Sequence, residues 1–248
     1  VKVSNYAVNI QRVFFLDEAH RDYNPKGSFL ARLFESDPKA IRLALTGTPL
    51  IGEELKTRDI FGEYISPYYY NRSIEDGFTK KILREDIETS YRLRLQEVWK
   101  ELLDSIKVKK EDVKREKILE HPRYVGALLD YIIDDFKLWR IQQGDNTLAG
   151  MVVCETSEQA KEMFRLLQER GDCGVSAELI LYDVYDKETR KGIYYSFKKK
   201  NYPDLLIVFN MLLTGFDAHR LKRLYLGRKL KDHNLLQAIT RVNRPYKD

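Results

Sequence analysis

Short apolar runs recur along the chain, one of them broken by Arg42: Val13-Phe14-Phe15-Leu16, Ile41 to Leu45, Leu148 to Cys154, Leu179 to Tyr182, Leu205 to Phe209 and Leu224-Tyr225-Leu226. Runs of this length with little polar alternation predict strands buried in a parallel sheet. Between them the spacing turns helical. Lys56 to Phe61 predicts a short helix. Tyr124 to Ile141 predicts one long helix, with Leu128, Ile132, Phe136 and Trp139 facing a core. Ser157 to Arg170 reads as a helix begun by a Thr156/Ser157 cap with acids close behind, and Lys187 to Lys200 as another. His233 to Asn243 predicts a last helix, apolar at Leu235, Leu236, Ile239 and Val242, with Gln237, Arg241 and Arg244 on the opposite face. Tyr64 to Tyr70 is rich in aromatics and reads as a strand on a core edge, in preference to a base-stacking surface.

Strand, helix, strand, helix, strand is the grammar of an α/β fold with crossover helices. Three segments follow from it: residues 1–85 as the back half of a first α/β domain, 86–143 as a charged helical bridge, and 144–248 as a second α/β domain opening after Gly144-Asp145-Asn146. In the bridge, Lys107, Lys109, Lys110, Lys114, Arg115 and Lys117 interleave with Glu111, Asp112, Glu116 and Glu120, a mixture that suits a solvated face better than a nucleic-acid stripe. Lys198-Lys199-Lys200 reads as a solubilising helix end.

Composition narrows the class without deciding it. The 248 residues are 43% hydrophobic and 33% charged, as in a globular chain with a sizeable core. The net charge of +5 permits nucleic-acid contact without demanding it. No apolar run approaches the ~20 residues of a membrane span, and no membrane partner is expected. Cys154 and Cys173 are too few for a disulfide framework or a zinc cluster, and free thiols suit a reducing cytoplasm.

Candidate chemistry gathers in four strings. Asp17-Glu18-Ala19-His20 follows the first apolar run, at the edge where open α/β sheets bind ligands. Adjacent carboxylates suit a divalent cation plus a water. Asp17 would hold Mg²⁺ through its water shell, and Glu18 would orient or deprotonate the water that attacks a γ-phosphate. Thr46-Gly47-Thr48-Pro49 closes the second run, with two hydroxyls able to carry hydrogen bonds from a nucleotide site toward a neighbouring domain. Thr214-Gly215-Phe216-Asp217 is the third string. The fourth, Gln237 to Arg244, carries guanidiniums suited to a γ-phosphate.

In order and wording these strings resemble motifs II, III, V and VI of superfamily 2 helicases. Asp-Glu-Ala-His-Arg, Leu-Thr-Gly-Thr-Pro-Leu, Met-Leu-Leu-Thr-Gly-Phe-Asp-Ala and Leu-Leu-Gln-Ala-Ile-Thr-Arg-Val-Asn-Arg-Pro-Tyr are similar to the R subunit of type I restriction–modification enzymes. The likeness runs from about Arg12 to Tyr246 and is thin between Tyr70 and Leu148. It implies two RecA-like parallel-sheet domains, the first incomplete at its N-terminus, joined by the helical charged segment. It also implies an ATP- and Mg²⁺-dependent motor that moves double-stranded DNA, working with methylation (M) and specificity (S) subunits in the cytoplasm of a bacterium or archaeon. Carried over, Glu18, Arg241 and Arg244 are catalytic; Asp17, Gly215, Asp217 and Gln237 contact nucleotide and its metal; His20, Thr46 and Thr48 couple hydrolysis to domain movement. Thr214 and the helix start at Ser157 are the expected DNA-phosphate contacts.

Two departures qualify the likeness. The phosphate-cradling loop Gly-x-x-x-x-Gly-Lys-[Ser/Thr] and a nuclease constellation are not in the sequence. The chain therefore reads as an excerpt expected to bind ATP poorly and to cut nothing alone. Gly227-Arg228-Lys229 also stands where such subunits often carry an acid.

Overall fold

Parallel strand pairing organises both halves of the chain. The computed structural model describes residues 10–17, 19, 28–47, 57–108, 114–211, 216–230 and 232–247. They divide into two units, Val1–Tyr69 and Tyr70–Asp248.

In the first unit, β1 (Val13–Leu16) pairs in parallel with β2 (Ile41–Ala44), Val13 opposite Ile41 and Leu16 opposite Ala44. The crossover between them contains α1 (Ser28–Ser36). Arg12 and Arg42 tie the turn before β2, through an Arg12–Asp37 ion pair of 2.9 Å and a bond from Arg42 to the Asp37 carbonyl. The strands are where the apolar runs predict them, but they are not buried as expected. Val13 is 44% and Phe15 66% exposed, and only Leu16 is inside. A parallel sheet is covered only where crossover helices pack on both faces, and β1 and β2 show no such cover among the described residues. After α2 (Thr57–Phe61), the expected strand at Tyr64–Tyr70 is not formed. The chain is irregular, with bends at Glu63 and Ile65, through exposed Tyr64, Tyr68 and Tyr69. Aromatic enrichment favours a strand only where a partner edge exists, and Pro67 removes a ladder donor.

The second unit opens with α3 (Tyr70–Glu75), α4 (Thr89–Val108), α5 (Arg115–Leu119) and α6 (Pro122–Gln143). Then come β3 (Ala149–Val153), α7 (Ser157–Glu169), β4 (Ala177–Ile180), α8 (Lys187–Lys199), β5 (Leu205–Val208), β6 (Leu221–Leu226) and α9 (Asp232–Ile239). The sheet order is β4-β5-β3-β6, all parallel. Alternation along each strand feeds two cores. Val152, Cys154, Leu205, Ile207 and Leu179 meet α6 and α7 through Ile132, Phe136, Met163 and Leu167. Ala149, Met151, Val153, Leu206 and Val208 meet α8 and α9 through Phe197 and Ala238, together with Phe216. Both faces are therefore covered, which is why β3 and β5 read as continuous apolar runs.

Helix α6 belongs to this core, with Ile132 and Phe136 buried and Leu128 and Trp139 packed alongside. It starts at Pro122, where His121 accepts from the Arg123 amide, and stops at Gly144 with φ +65°. Asp135 on α6 reaches the edge strand: Arg223 pairs with it at 2.8 Å, and the Tyr225 hydroxyl donates to it at 2.5 Å. Burial lowers the Arg223 pKa, but Glu85 and Asp135 outweigh that and hold it above its ordinary value. Helix α7 is capped by Thr156 as expected, its hydroxyl accepting from the Gln159 amide.

Gly227 ends β6 against a neighbouring strand. Its amide donates to the Val153 carbonyl at 2.8 Å, and a Cβ at this position would meet the same oxygen at 2.8 Å. Backbone cannot yield as a side-chain tip can. Gly227→Ala is therefore expected to cost about 1–3 kcal/mol, read as a fall of roughly 3–10 °C in the thermal midpoint. An unchanged midpoint would show that β3 and β6 do not approach this closely.

Candidate nucleotide-facing site

The first-unit residues gather at the C-terminal ends of β1 and β2. Asp17 follows β1 directly and is exposed, while Thr46 is half-buried two residues after β2. The two turns are laced together. The Leu45 amide donates to the Leu16 carbonyl at 2.9 Å, and the Ala19 amide to the Leu45 carbonyl at 3.0 Å. The Asp17 end of one strand and the Thr46 end of the other are thus neighbours by backbone bonding. Glu18, His20 and Thr48 lie outside the described residues, as do Thr214 and Gly215.

In the second unit, the third and fourth strings come together. Arg244 Nη1 lies 2.5 Å from Asp217 Oδ1, an ion pair rather than an aligned hydrogen bond. His219 Nε2 is 3.8 Å from the same oxygen, and His219 Nδ1 is 2.9 Å from the Pro245 carbonyl. Arg241 donates from Nη1 to the Phe216 carbonyl at 2.8 Å and from Nε to the Gln237 carbonyl at 3.1 Å. Its planar fork is thereby fixed against both strings.

The helical reading of the last string is corrected. Helix α9 ends at Ile239, and the next amides tighten onto i−3 carbonyls, Arg241 to Ala238 and Val242 to Ile239. Arg241 and Arg244 therefore lie beyond the helix and do not share a face with Gln237. Gln237 itself is buried beside Ala238, whereas Leu236 is 46% exposed. The β-branched Ile239, Thr240 and Val242 weaken helix propagation here. The Thr240 hydroxyl also bonds back to the Gln237 carbonyl.

Sequence reasoning missed two buried arginine clamps in the second unit. Arg220, three residues after Asp217, is 2% exposed and donates to four main-chain carbonyls: Thr147, Phe197, Pro203 and Asn201. Burial pulls its guanidinium down to about 10, still charged at neutral pH. Arg140 donates to the Leu148 carbonyl at 2.8 Å and to Asp204 at 2.5 Å, and Asp204 in turn holds Ser176. Tyr246 and Lys247 meet Thr147, which closes the chain beyond Arg244 onto the start of β3. Arginines carry no sequence mark that distinguishes a buried clamp from a surface charge.

Other expected positions are ordinary. Ser157 is half-buried at the start of α7, where the Thr156 hydroxyl already donates to Glu120 at 2.7 Å. Lys198 lies over the Phe216 ring and Lys200 over Tyr195. Much of the 107–117 basic run lies outside the described side chains. The Cys154 thiol is buried and pushed up to about 12 by that burial. Among the described residues, no helix is long and apolar enough to cross a membrane, and no group of three or more His, Cys, Asp or Glu is arranged to hold a metal.

Similarity to known proteins also falls into two stretches, the first of which runs past Tyr70 into the second unit. The SWI2/SNF2 ATPase family matches residues 2–116, and domain 3 of the type I restriction enzyme subunit R matches residues 146–248. A Methanocaldococcus jannaschii protein bearing the name type I restriction enzyme MjaVIIP endonuclease subunit is 30% identical over the whole of this chain. The chain spans 28% of that relative's length. A fragment structure described as an HsdR subunit of a type I restriction enzyme from Vibrio vulnificus YJ016 is 20% identical, with a TM-score of 0.54 over 94% of this chain and 40% of that one. The type ISP restriction-modification enzyme LlaBIII, solved bound to DNA, is 14% identical, with a TM-score of 0.55 over 96% of this chain and 18% of that one. At these identities the two structures speak for the fold alone, an α/β RecA-like architecture with parallel sheets. The relative that is 30% identical over the whole chain, with the two family matches in their expected order, makes the chain a member of the type I restriction enzyme R-subunit family, across its SNF2/helicase-like ATPase region.

Proposed function

We propose that this region is the ATP-driven motor of a type I restriction endonuclease R subunit, hydrolysing ATP between two RecA-like domains to move duplex DNA. Residues 1–85 would form the C-terminal half of the first domain, 86–143 the bridge and 144–248 the second domain. The observation that carries the reading is the pairing of Arg244 with Asp217 beside an Arg241 already fixed on two carbonyls.

The residues fit the groups such a motor needs. Mg²⁺ is commonly held by one or two carboxylates with waters and phosphates completing its shell. Asp17, exposed at the end of β1, supplies that kind of donor. ATP with its metal supplies the phosphoryl group to be transferred. Glu18 takes or orients the proton of the attacking water. Arg241 and Arg244 stabilise charge developing on the phosphoryl oxygens, and Gln237, Gly215 and Asp217 line the nucleotide. Thr46, Thr48 and His20 relay the change in bonding toward the neighbouring domain. Thr214 and Ser157 contact DNA phosphate. The partners are double-stranded DNA and the M and S subunits, and the compartment is the cytoplasm.

The test is Mg²⁺-dependent ATP hydrolysis by the full-length subunit with its partner subunits, with and without duplex DNA. Turnover stimulated by DNA is the expected result. Negligible turnover in both conditions would leave a non-catalytic assembly module instead.

A further inference from the structure

Arg244 stands on a stretch of chain with no helical bonding of its own. Helix α9 ends at Ile239, the tightened turn after it closes at Val242, and residues 243–247 are irregular. A side chain on such a stretch is only as well placed as the contacts that flank it. Ahead of Arg244, the Asn243 carbonyl accepts from the Lys80 amide at 2.5 Å. Behind it, the Pro245 carbonyl lies 2.9 Å from His219 Nδ1. The next contact joins two side chains across 99 positions, with the Tyr246 hydroxyl 2.9 Å from Thr147 Oγ1.

The bonding around Thr147 decides which atom donates. The Thr147 hydroxyl and amide, and then Lys247, hold the Asp145 carboxyl below its ordinary range, so it is ionised and only accepts. Thr147 Oγ1, 2.6 Å from Asp145 Oδ1, therefore gives its one proton to that carboxylate. Its lone pairs receive the Tyr246 hydroxyl and the Lys247 ammonium, the latter at 2.6 Å. The hydroxyl is fully used. The backbone that presents it is also pinned. Buried Arg220 donates from Nε to the Thr147 carbonyl at 2.7 Å, and buried Arg140 to the Leu148 carbonyl at 2.8 Å. Arg220 follows Asp217 by three residues and Tyr246 follows Arg244 by two. The Thr147 turn thus bonds to the chain just beyond each partner of the Asp217–Arg244 pair.

We infer that Thr147 is a positioning residue for Arg244, acting through the Tyr246 hydroxyl to set where the guanidinium stands during phosphoryl transfer. This role rests on the motor reading and falls to a residue outside all four strings, on the turn that opens the second sheet.

The test is steady-state ATP hydrolysis by the full-length subunit with its partner subunits and duplex DNA, beside thermal unfolding. Tyr246→Phe removes one hydroxyl. Thr147→Val removes the other while keeping the shape of the side chain and the carbonyl that Arg220 holds. Each is expected to lower kcat roughly 10- to 100-fold, because a displacement of about 1 Å near reacting groups costs on the order of 10²-fold. KM for ATP stays within about twofold of wild type, as for an interaction made in the transition state. Thr147→Ser keeps the hydroxyl and restores turnover. If Thr147→Val does not fold, Tyr246→Phe gives the same readout and leaves Lys247 paired with Asp145. Unchanged kcat in Tyr246→Phe, whatever happens to the thermal midpoint, makes the tie structural and overturns the positioning role, leaving the motor reading intact. A raised KM for ATP with unchanged kcat gives the contact to nucleotide binding and overturns it equally. A wild type without DNA-stimulated turnover sinks the motor reading, and this role with it.

Discussion

Arg241→Ala is expected to lower DNA-stimulated ATP turnover by roughly 10³-fold while leaving the subunit folded and able to bind nucleotide. The expectation rests on how the side chain is held. Its two bonds to the Phe216 and Gln237 carbonyls fix the fork before any phosphate arrives, so little reorganisation remains at the moment of transfer. Arg241→Lys keeps the charge but cannot bridge the two carbonyls with the same planar geometry, so it should recover only a small part of the loss. The effect belongs in kcat rather than in KM for ATP, because an arginine finger acts on charge that develops in the transition state. The measurement is steady-state hydrolysis with thermal unfolding as control. Turnover within threefold of wild type would remove Arg241 from the catalytic group and leave it as a clamp between the two strings.

Glu18→Gln should match that loss from the other unit. The substitution keeps size and shape but removes a proton acceptor worth roughly 10²–10⁴ in rate. Nucleotide affinity should hold, since the metal is assigned to Asp17. Asp17→Asn should do the reverse in part, weakening the dependence on Mg²⁺ concentration. The Leu45 to Leu16 and Ala19 to Leu45 bonds hold the C-terminal ends of β1 and β2 side by side, Asp17 on one and Thr46 on the other. If Glu18→Gln and wild type hydrolyse ATP at the same rate, the acidic pair is a surface feature and the enzyme reading falls with it.

How far the sequence speaks depends on how local each determinant is. Strands β3 and β5 are legible because both faces are buried, so the run is apolar without interruption. Helices α6, α7 and α8 are legible from caps and spacing that lie within each segment. The strand expected at Tyr64–Tyr70 fails for the opposite reason, since aromatic content needs a partner edge to become a strand. The last helix is overextended in the sequence reading because apolar spacing continues through Val242, while hydrogen bonding shifts to i−3 after Ile239. In the candidate site, the order of the four strings singles out candidate residues. It does not signal that Arg244 pairs with Asp217, or that Arg220 is buried on four carbonyls. Those facts depend on contacts between distant segments, as does the reach of Asp135 to Arg223 across 88 positions.

That last contact bears on how β6 behaves. A strand hydrogen-bonded, among the described residues, to β3 on one side alone is free in principle to slip or peel. Here Asp135 holds Arg223 and Tyr225 together from α6, in the middle of the strand. A slip of one residue would carry both side chains away from the carboxylate and turn them to the opposite face. Register along β6 is therefore set from outside the sheet, by one carboxylate on α6 that grips the strand at its middle.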